Sequence, residues 1–108
     1  MEYQIEISDD SKEDLKRLRA VDRGKVGDAV KVHLRHEPTK ESRTSIKRLR
    51  GMDRPQYRLR VENLRVYYDV LPEGVVDIIA VVPKAESAAW LAQKGTASAS
   101  GGEIAEED

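Results

Sequence analysis

The sequence predicts an α+β domain in the order β-α-α-β-β-β-α, with a mainly antiparallel four-stranded sheet packed against a helical hairpin. Three observations predict it. Residues 57–70 (YRLRVENLRVYYDV) alternate with a period of two on both sides of Glu62-Asn63, as a β-hairpin does. Residues 75–82 (VVDIIAVV) form a nearly unbroken β-branched run, as a strand buried on both faces does. Residues 9–36 instead repeat apolar side chains at spacings of three and four, the mark of amphipathic helices.

Taken in order, Tyr3–Ile7 alternates and reads as a first strand. Ser8-Asp9-Asp10-Ser11 supplies cap residues and acid, which a helix N-terminus prefers. Leu15, Leu18 and Val21 continue that helix, and Val21-Asp22-Arg23-Gly24 reads as a break or tight bend. A second helix carries Val26, Ala29, Val30 and Leu34 on one stripe and ends before Pro38, because the residue ahead of a proline disfavours helix. Residues 37–55 are polar and basic, with a helical turn or irregular edge expected within Arg43–Arg50 and punctuation at Gly51 and Pro55. The hairpin follows, then a turn at Leu71-Pro72-Glu73-Gly74. Pro83 ends the apolar strand. Lys84–Lys94 holds good helix formers, and Trp90 is expected to dock that helix onto the sheet. The folded domain is therefore expected over residues 1–94, and a disordered acidic tail over residues 95–108.

With 108 residues, 39% hydrophobic and 36% charged, the chain supports one modest core under an ionic surface. It has no Phe and no Cys. The core must rest on Val, Ile and Leu, and disulfides, thiol catalysis and thiolate metal sites are excluded. The polar, acidic start is unlike a signal peptide, and no apolar run approaches a membrane span. A soluble cytoplasmic protein without a membrane partner is expected.

The net charge of −1 hides an asymmetry. Between Lys40 and Arg65 there are nine cations (Lys40, Arg43, Lys47, Arg48, Arg50, Arg54, Arg58, Arg60, Arg65) against three anions (Glu41, Asp53, Glu62). A polyanion would meet this local field rather than the overall charge. A two-residue loop at Glu62-Asn63 makes Arg60 face Arg65 and Arg58 face Tyr67 on one side of the hairpin. Like charges directly opposed on a sheet are unfavourable by roughly 0.2–1 kcal/mol. Either these arginines pair with carboxylates from elsewhere, or they form an anion site. The second account is favoured, because arginine forks grip phosphate oxygens bidentately and Tyr67 could stack on a base. Lys47, Arg48, Arg50 and Arg54 would extend the interface. His33 and His36 lack a third ligand in sequence, so no metal is expected. No Gly-rich phosphate loop, nucleophile elbow or cofactor motif is present.

The hairpin and its flanks resemble the RelE/ParE superfamily of bacterial toxins. That family shows a Leu-x-Gly step, a Tyr-Arg-x-Arg strand, a tight turn, and Arg-Val-x-Tyr. Here these are Leu49-Arg50-Gly51, Tyr57-Arg58-Leu59-Arg60, Glu62-Asn63, and Arg65-Val66-Tyr67-Tyr68. The resemblance spans residues 3–94 and agrees in element order. It implies the toxin of a toxin–antitoxin pair, held inactive by a cognate antitoxin. RelE-like members are endoribonucleases that cut mRNA on the ribosome. ParE-like members instead inhibit DNA gyrase by protein–protein binding, and a non-catalytic relative is a third alternative. On the favoured RelE-like branch, Arg58, Arg60 and Arg65 match the positive residues that stabilise the transition state as the ribose 2′-OH attacks the adjacent phosphate. The family often carries an Arg just after the last strand and a Tyr in the final segment. Here Pro83-Lys84-Ala85 and Trp90-Leu91 stand there instead. Arginine does not act as a general base, so Lys84 is the candidate to assist proton transfer. The acidic end, Glu103–Asp108, is expected to fold back over the basic patch when no partner is bound.

Overall fold

The fold is described from a computed structural model, over residues 2–97. The acidic tail beyond them, including its expected return over the basic patch, lies outside the described residues. A five-stranded sheet runs in the order β1-β6-β5-β4-β2, where β1 is Gln4–Ile7, β2 Ile46–Arg48, β4 Tyr57–Val61, β5 Leu64–Leu71 and β6 Val75–Pro83. Only β1 lies parallel to its neighbour, β6; the other pairings are antiparallel. The expected mainly antiparallel α+β architecture is therefore present, with one strand added. That strand, β2, occupies part of the Arg43–Arg50 segment. Ile46 supplies the reason: it is buried opposite Leu59, while Lys47 and Arg48 stay exposed at the sheet edge.

Helices α1 (Asp9–Arg17) and α2 (Ala20–Ala29) pack on one face, and α2 continues as a π-helical turn over Val30–Leu34. Their stripe meets Leu59, Val61, Val66, Tyr68, Val76, Ile78 and Val81 in the main core. Ser8 caps α1 by accepting from the Ser11 amide, an interaction worth about 1 kcal/mol. The break between helices falls at Leu18-Arg19, earlier than Val21–Gly24. Gly24 has nothing near its missing side chain, so it sits in α2 without breaking it. Arg23 reaches back to the Leu18 carbonyl and satisfies the end of α1.

Beyond Ile78, β6 has no β1 residue beside it. Helix α1 covers that exposed backbone. Ser11 Oγ donates to the Ile78 carbonyl (3.0 Å), Ser8 Oγ to the Ile79 carbonyl (3.0 Å), and the Val81 amide donates to Asp14 Oδ2 (2.9 Å). The helix thus completes with side chains the pairing that a longer strand would supply.

The opposite face carries a second core of Leu49, Met52, Tyr67, Ala80, Val82 and Leu91. It lies beneath α3 (Ser87–Lys94), which follows a 3₁₀ turn at Lys84–Glu86, and Trp90 stacks on Tyr67. The expected docking of the C-terminal helix through Trp90 is observed. Strands β3 (Met52–Arg54) and β7 (Thr96–Ala97) pair antiparallel at the margin of this layer. Residues 95–97, assigned to the tail from sequence, thus contribute to the fold. Gly95 explains the closeness: a Cβ there would lie 2.7 Å from the Leu91 carbonyl and nearer still to Met52.

Candidate nucleic-acid interface

The hairpin register places the cations. Glu62 opens the two-residue turn at φ 55°, and the strands pair Arg60 with Arg65, Arg58 with Tyr67, and Leu59 with Val66. Strand β2 adds Lys47 opposite Arg58. Lys47, Arg58, Arg60 and Arg65 therefore share one sheet face across three adjacent strands, about 4.8 Å apart. The opposite parity (Tyr57, Leu59, Val61, Leu64, Val66, Tyr68) faces the main core. This is the arrangement that alternation and a two-residue turn dictate.

Burial departs from the sequence reading. Arg58 and Arg65 are only 3% and 2% exposed, and Tyr67 is 0% exposed. Alternation alone suggests a solvated face, because it does not reveal what the rest of the chain lays over it, as α3 does over Tyr67. Tyr67 is not available to stack on a base: its ring lies 4.9 Å from Trp90 at an interplanar angle of 11°. The guanidinium groups are held by backbone carbonyls. Arg65 Nη1 donates to the Glu62 and Leu64 carbonyls, both at 2.9 Å, which ties it to the hairpin turn. Arg58 Nη1 donates to the Ser45 carbonyl at 3.4 Å, and that carbonyl also accepts from the Arg60 amide at 2.9 Å.

Two of the flanking cations have structural partners. Arg54 Nη1 lies 3.0 Å from Asp69 and its Nη2 3.7 Å from Asp77. Asp69 also accepts from the Gln56 amide at 2.7 Å. Burial pushes the Asp69 carboxyl above the usual carboxylate range, against the pull of Gln56 and Arg54. Arg48 Nη1 donates to the Leu49 and Gln56 carbonyls at 3.0 and 2.8 Å, and its guanidinium lies 5.4 Å from the Tyr57 ring centre. Arg48 thus braces the loop between β2 and β4. Neither role is visible from charge counting, because it depends on where Asp69 and the loop carbonyls fold. Lys47 and Arg50 are exposed.

Lys84 is exposed just past β6, and its amide donates to the Asn63 carbonyl at 2.7 Å. With Asn63, Pro83 and Ala85 it lines an open cavity of about 490 Å³ beside the hairpin turn. That puts Lys84 at the Arg60–Arg65 end of the basic face, since Leu64 pairs with Pro83 and Arg65 with Val82. Ser45 was missed by sequence reasoning, since a backbone carbonyl leaves no signature in residue type. Among the described residues no cluster of His, Asp and Glu side chains is arranged to hold a metal, and no helix is long and apolar enough to cross a membrane.

A compact α+β domain with arginines registered across a central hairpin is the class that fold and face together define. Its fold is that of the RelE toxins. The chain is similar to a double arginine-to-alanine mutant of E. coli toxin RelE in the free state, at 24% identity and a TM-score of 0.65, covering 83% of this chain and 92% of that one. It is similar to the archaeal RelE–RelB complex from Pyrococcus horikoshii, at 23% identity and a TM-score of 0.64, covering 78% and 97%. It is also similar to the RelBE2 toxin–antitoxin complex from Mycobacterium tuberculosis, at 23% identity and a TM-score of 0.62, covering 77% and 99%. No protein-family model matches the sequence, and no curated protein matches it.

Proposed function

We propose that this chain is the toxin of a toxin–antitoxin pair and a ribosome-dependent mRNA endoribonuclease of the cytoplasm. The observation that carries the reading is the register that sets Arg60 against Arg65 and Lys47 against Arg58 on one face. Opposed like charges bring no benefit to folding on their own, but they suit a phosphate whose negative charge grows during reaction. The RelE fold supports the same reading. The similar chains found in complex with RelB support a RelB-like antitoxin as partner.

In the reaction, the ribose 2′-oxygen bonds to the adjacent phosphorus, and the bond from phosphorus to the 5′-oxygen breaks. A 2′,3′-cyclic phosphate and a 5′-hydroxyl result, so one proton leaves the 2′-OH and one reaches the 5′-oxygen. Arg58, Arg60 and Arg65 hold the phosphoryl oxygens as charge develops. Lys84, exposed at the hairpin end of the face, assists removal of the 2′-OH proton, and a solvent water protonates the leaving 5′-oxygen. Lys47 and Arg50 steer the RNA backbone. Arg58 and Arg65 are buried, whereas Arg60 is partly exposed.

Primer extension on mRNA in a purified translation system tests this reading. New 5′ ends inside A-site codons, present with ribosomes and wild-type protein and absent with folded Arg65→Ala, are expected. Intact mRNA with folded wild-type protein overturns it. Inhibition of gyrase supercoiling would then identify the alternative activity.

A further inference from the structure

A cavity of about 310 Å³ opens where the end of the second helical segment meets the edge strand β2. Val32 and Ile46 give it apolar lining, and His33, Ser42 and Ser45 give it polar lining. Its two other charged residues, Glu37 and Lys40, lie 3.7 Å apart as an ion pair. The volume falls within the range of small-ligand sites. Ser42 also lines a wider opening of about 570 Å³ with Arg43 and Lys47. The carboxylate there, Glu41, is occupied by the Arg48 amide at 3.0 Å.

The cavity is linked to the arginine face through Ser45. Ser45 lines it, and the Ser45 carbonyl holds Arg58 Nη1 and the Arg60 amide. Lys47 lines the neighbouring opening, which shares Ser42 with the cavity, and pairs with Arg58 across the strands. A track of cations therefore leads from the phosphate-gripping arginines, around the β2 edge, to a half-apolar recess with an imidazole and two hydroxyls. A flat heterocycle on a phosphate backbone matches that combination. Its faces meet Val32 and His33, its edge meets Ser42 and Ser45, and its phosphate meets Arg43 and Lys47.

We propose that this cavity receives one nucleotide of the RNA flanking the scissile step. The inference rests on the ribonuclease reading and adds a subsite to it. Val32 is 70% exposed, so Val32→Glu changes the cavity without disturbing the core.

The test measures cleavage rates on programmed ribosomes with mRNAs that carry a single abasic nucleotide at successive positions beside the cut. The wild type and the Val32→Glu/His33→Ala double variant are compared. At one flanking position, loss of the base is expected to slow the wild type several-fold and to leave the double variant, already slowed, unchanged. Abasic and protein changes that slow cleavage independently, or not at all, overturn the inference while leaving the ribonuclease reading intact. A double variant that cleaves normally but escapes neutralisation by its antitoxin assigns the cavity to a protein segment and also overturns it. If the wild type cleaves no intact mRNA, the ribonuclease reading itself fails, and the inference with it.

Discussion

Tyr67 and Trp90 stack nearly parallel, with ring centres 4.9 Å apart, and this contact joins the central hairpin to the C-terminal helix. Tyr67 is the residue opposite Arg58, so the stack forms directly beside the basic face. The second core is small, and the aromatic pair ties α3 to it.

Trp90→Ala should therefore lower unfolding free energy by about 2–3 kcal/mol, below the value for a fully buried tryptophan because Trp90 is only half-buried. Trp90→Phe should recover most of the loss. Urea denaturation followed by far-UV circular dichroism gives the values. A loss under about 0.5 kcal/mol would show that the stack does not hold α3.

Asp14 accepts from the Val81 amide at the part of β6 that β1 does not reach. Asp14→Ala leaves that amide without its acceptor and should cost about 1–3 kcal/mol. Arg17→Ala removes only the exposed end of the Asp14–Arg17 pair and should cost under about 0.5 kcal/mol. Equal effects of the two variants in thermal unfolding would refute the assignment.

Burial raises the Asp69 carboxyl above its ordinary value of 3.8, so the native state holds that proton more tightly than the unfolded chain. Its contribution to stability is complete below the ordinary value and is lost as pH rises through the higher native one. The stability of the wild type relative to Asp69→Asn should therefore fall as pH rises from about 3 into the weakly acid range. Denaturation midpoints of both proteins across that range measure it. A difference that grows with pH would mean that Arg54 and the Gln56 amide outweigh burial.

Glu62 sits at φ 55°, where a side chain costs about 1–2 kcal/mol that glycine does not incur. Its ion pair with Lys25, at 3.1 Å, is exposed and offsets little of this. Glu62→Gly also loosens the unfolded chain, so the net gain should stay below about 1 kcal/mol. Lys25→Ala, measured beside it by thermal melting, isolates the ion pair. A lower melting temperature for Glu62→Gly would refute the prediction.

Local pattern was enough for the elements that a period or a turn specifies. Alternation on both sides of Glu62-Asn63 determined the hairpin register and so the facing of Arg60 and Arg65. The β-branched run determined a strand covered on both sides, and the apolar stripe determined the face of α2. The resemblance around Tyr57–Tyr68 led to the fold. Tertiary structure alone decided how deeply the arginines lie and which cations are taken. Alternation states which way a side chain points, but not what the rest of the chain lays over it. Arg58 and Arg65 are therefore buried beside a second core, Tyr67 is closed off by Trp90, and Arg54 is drawn to Asp69. The same reason hid Ser45: its role belongs to a carbonyl that every residue possesses, and only the approach of β4 to the chain before β2 makes it a partner of Arg58 and Arg60.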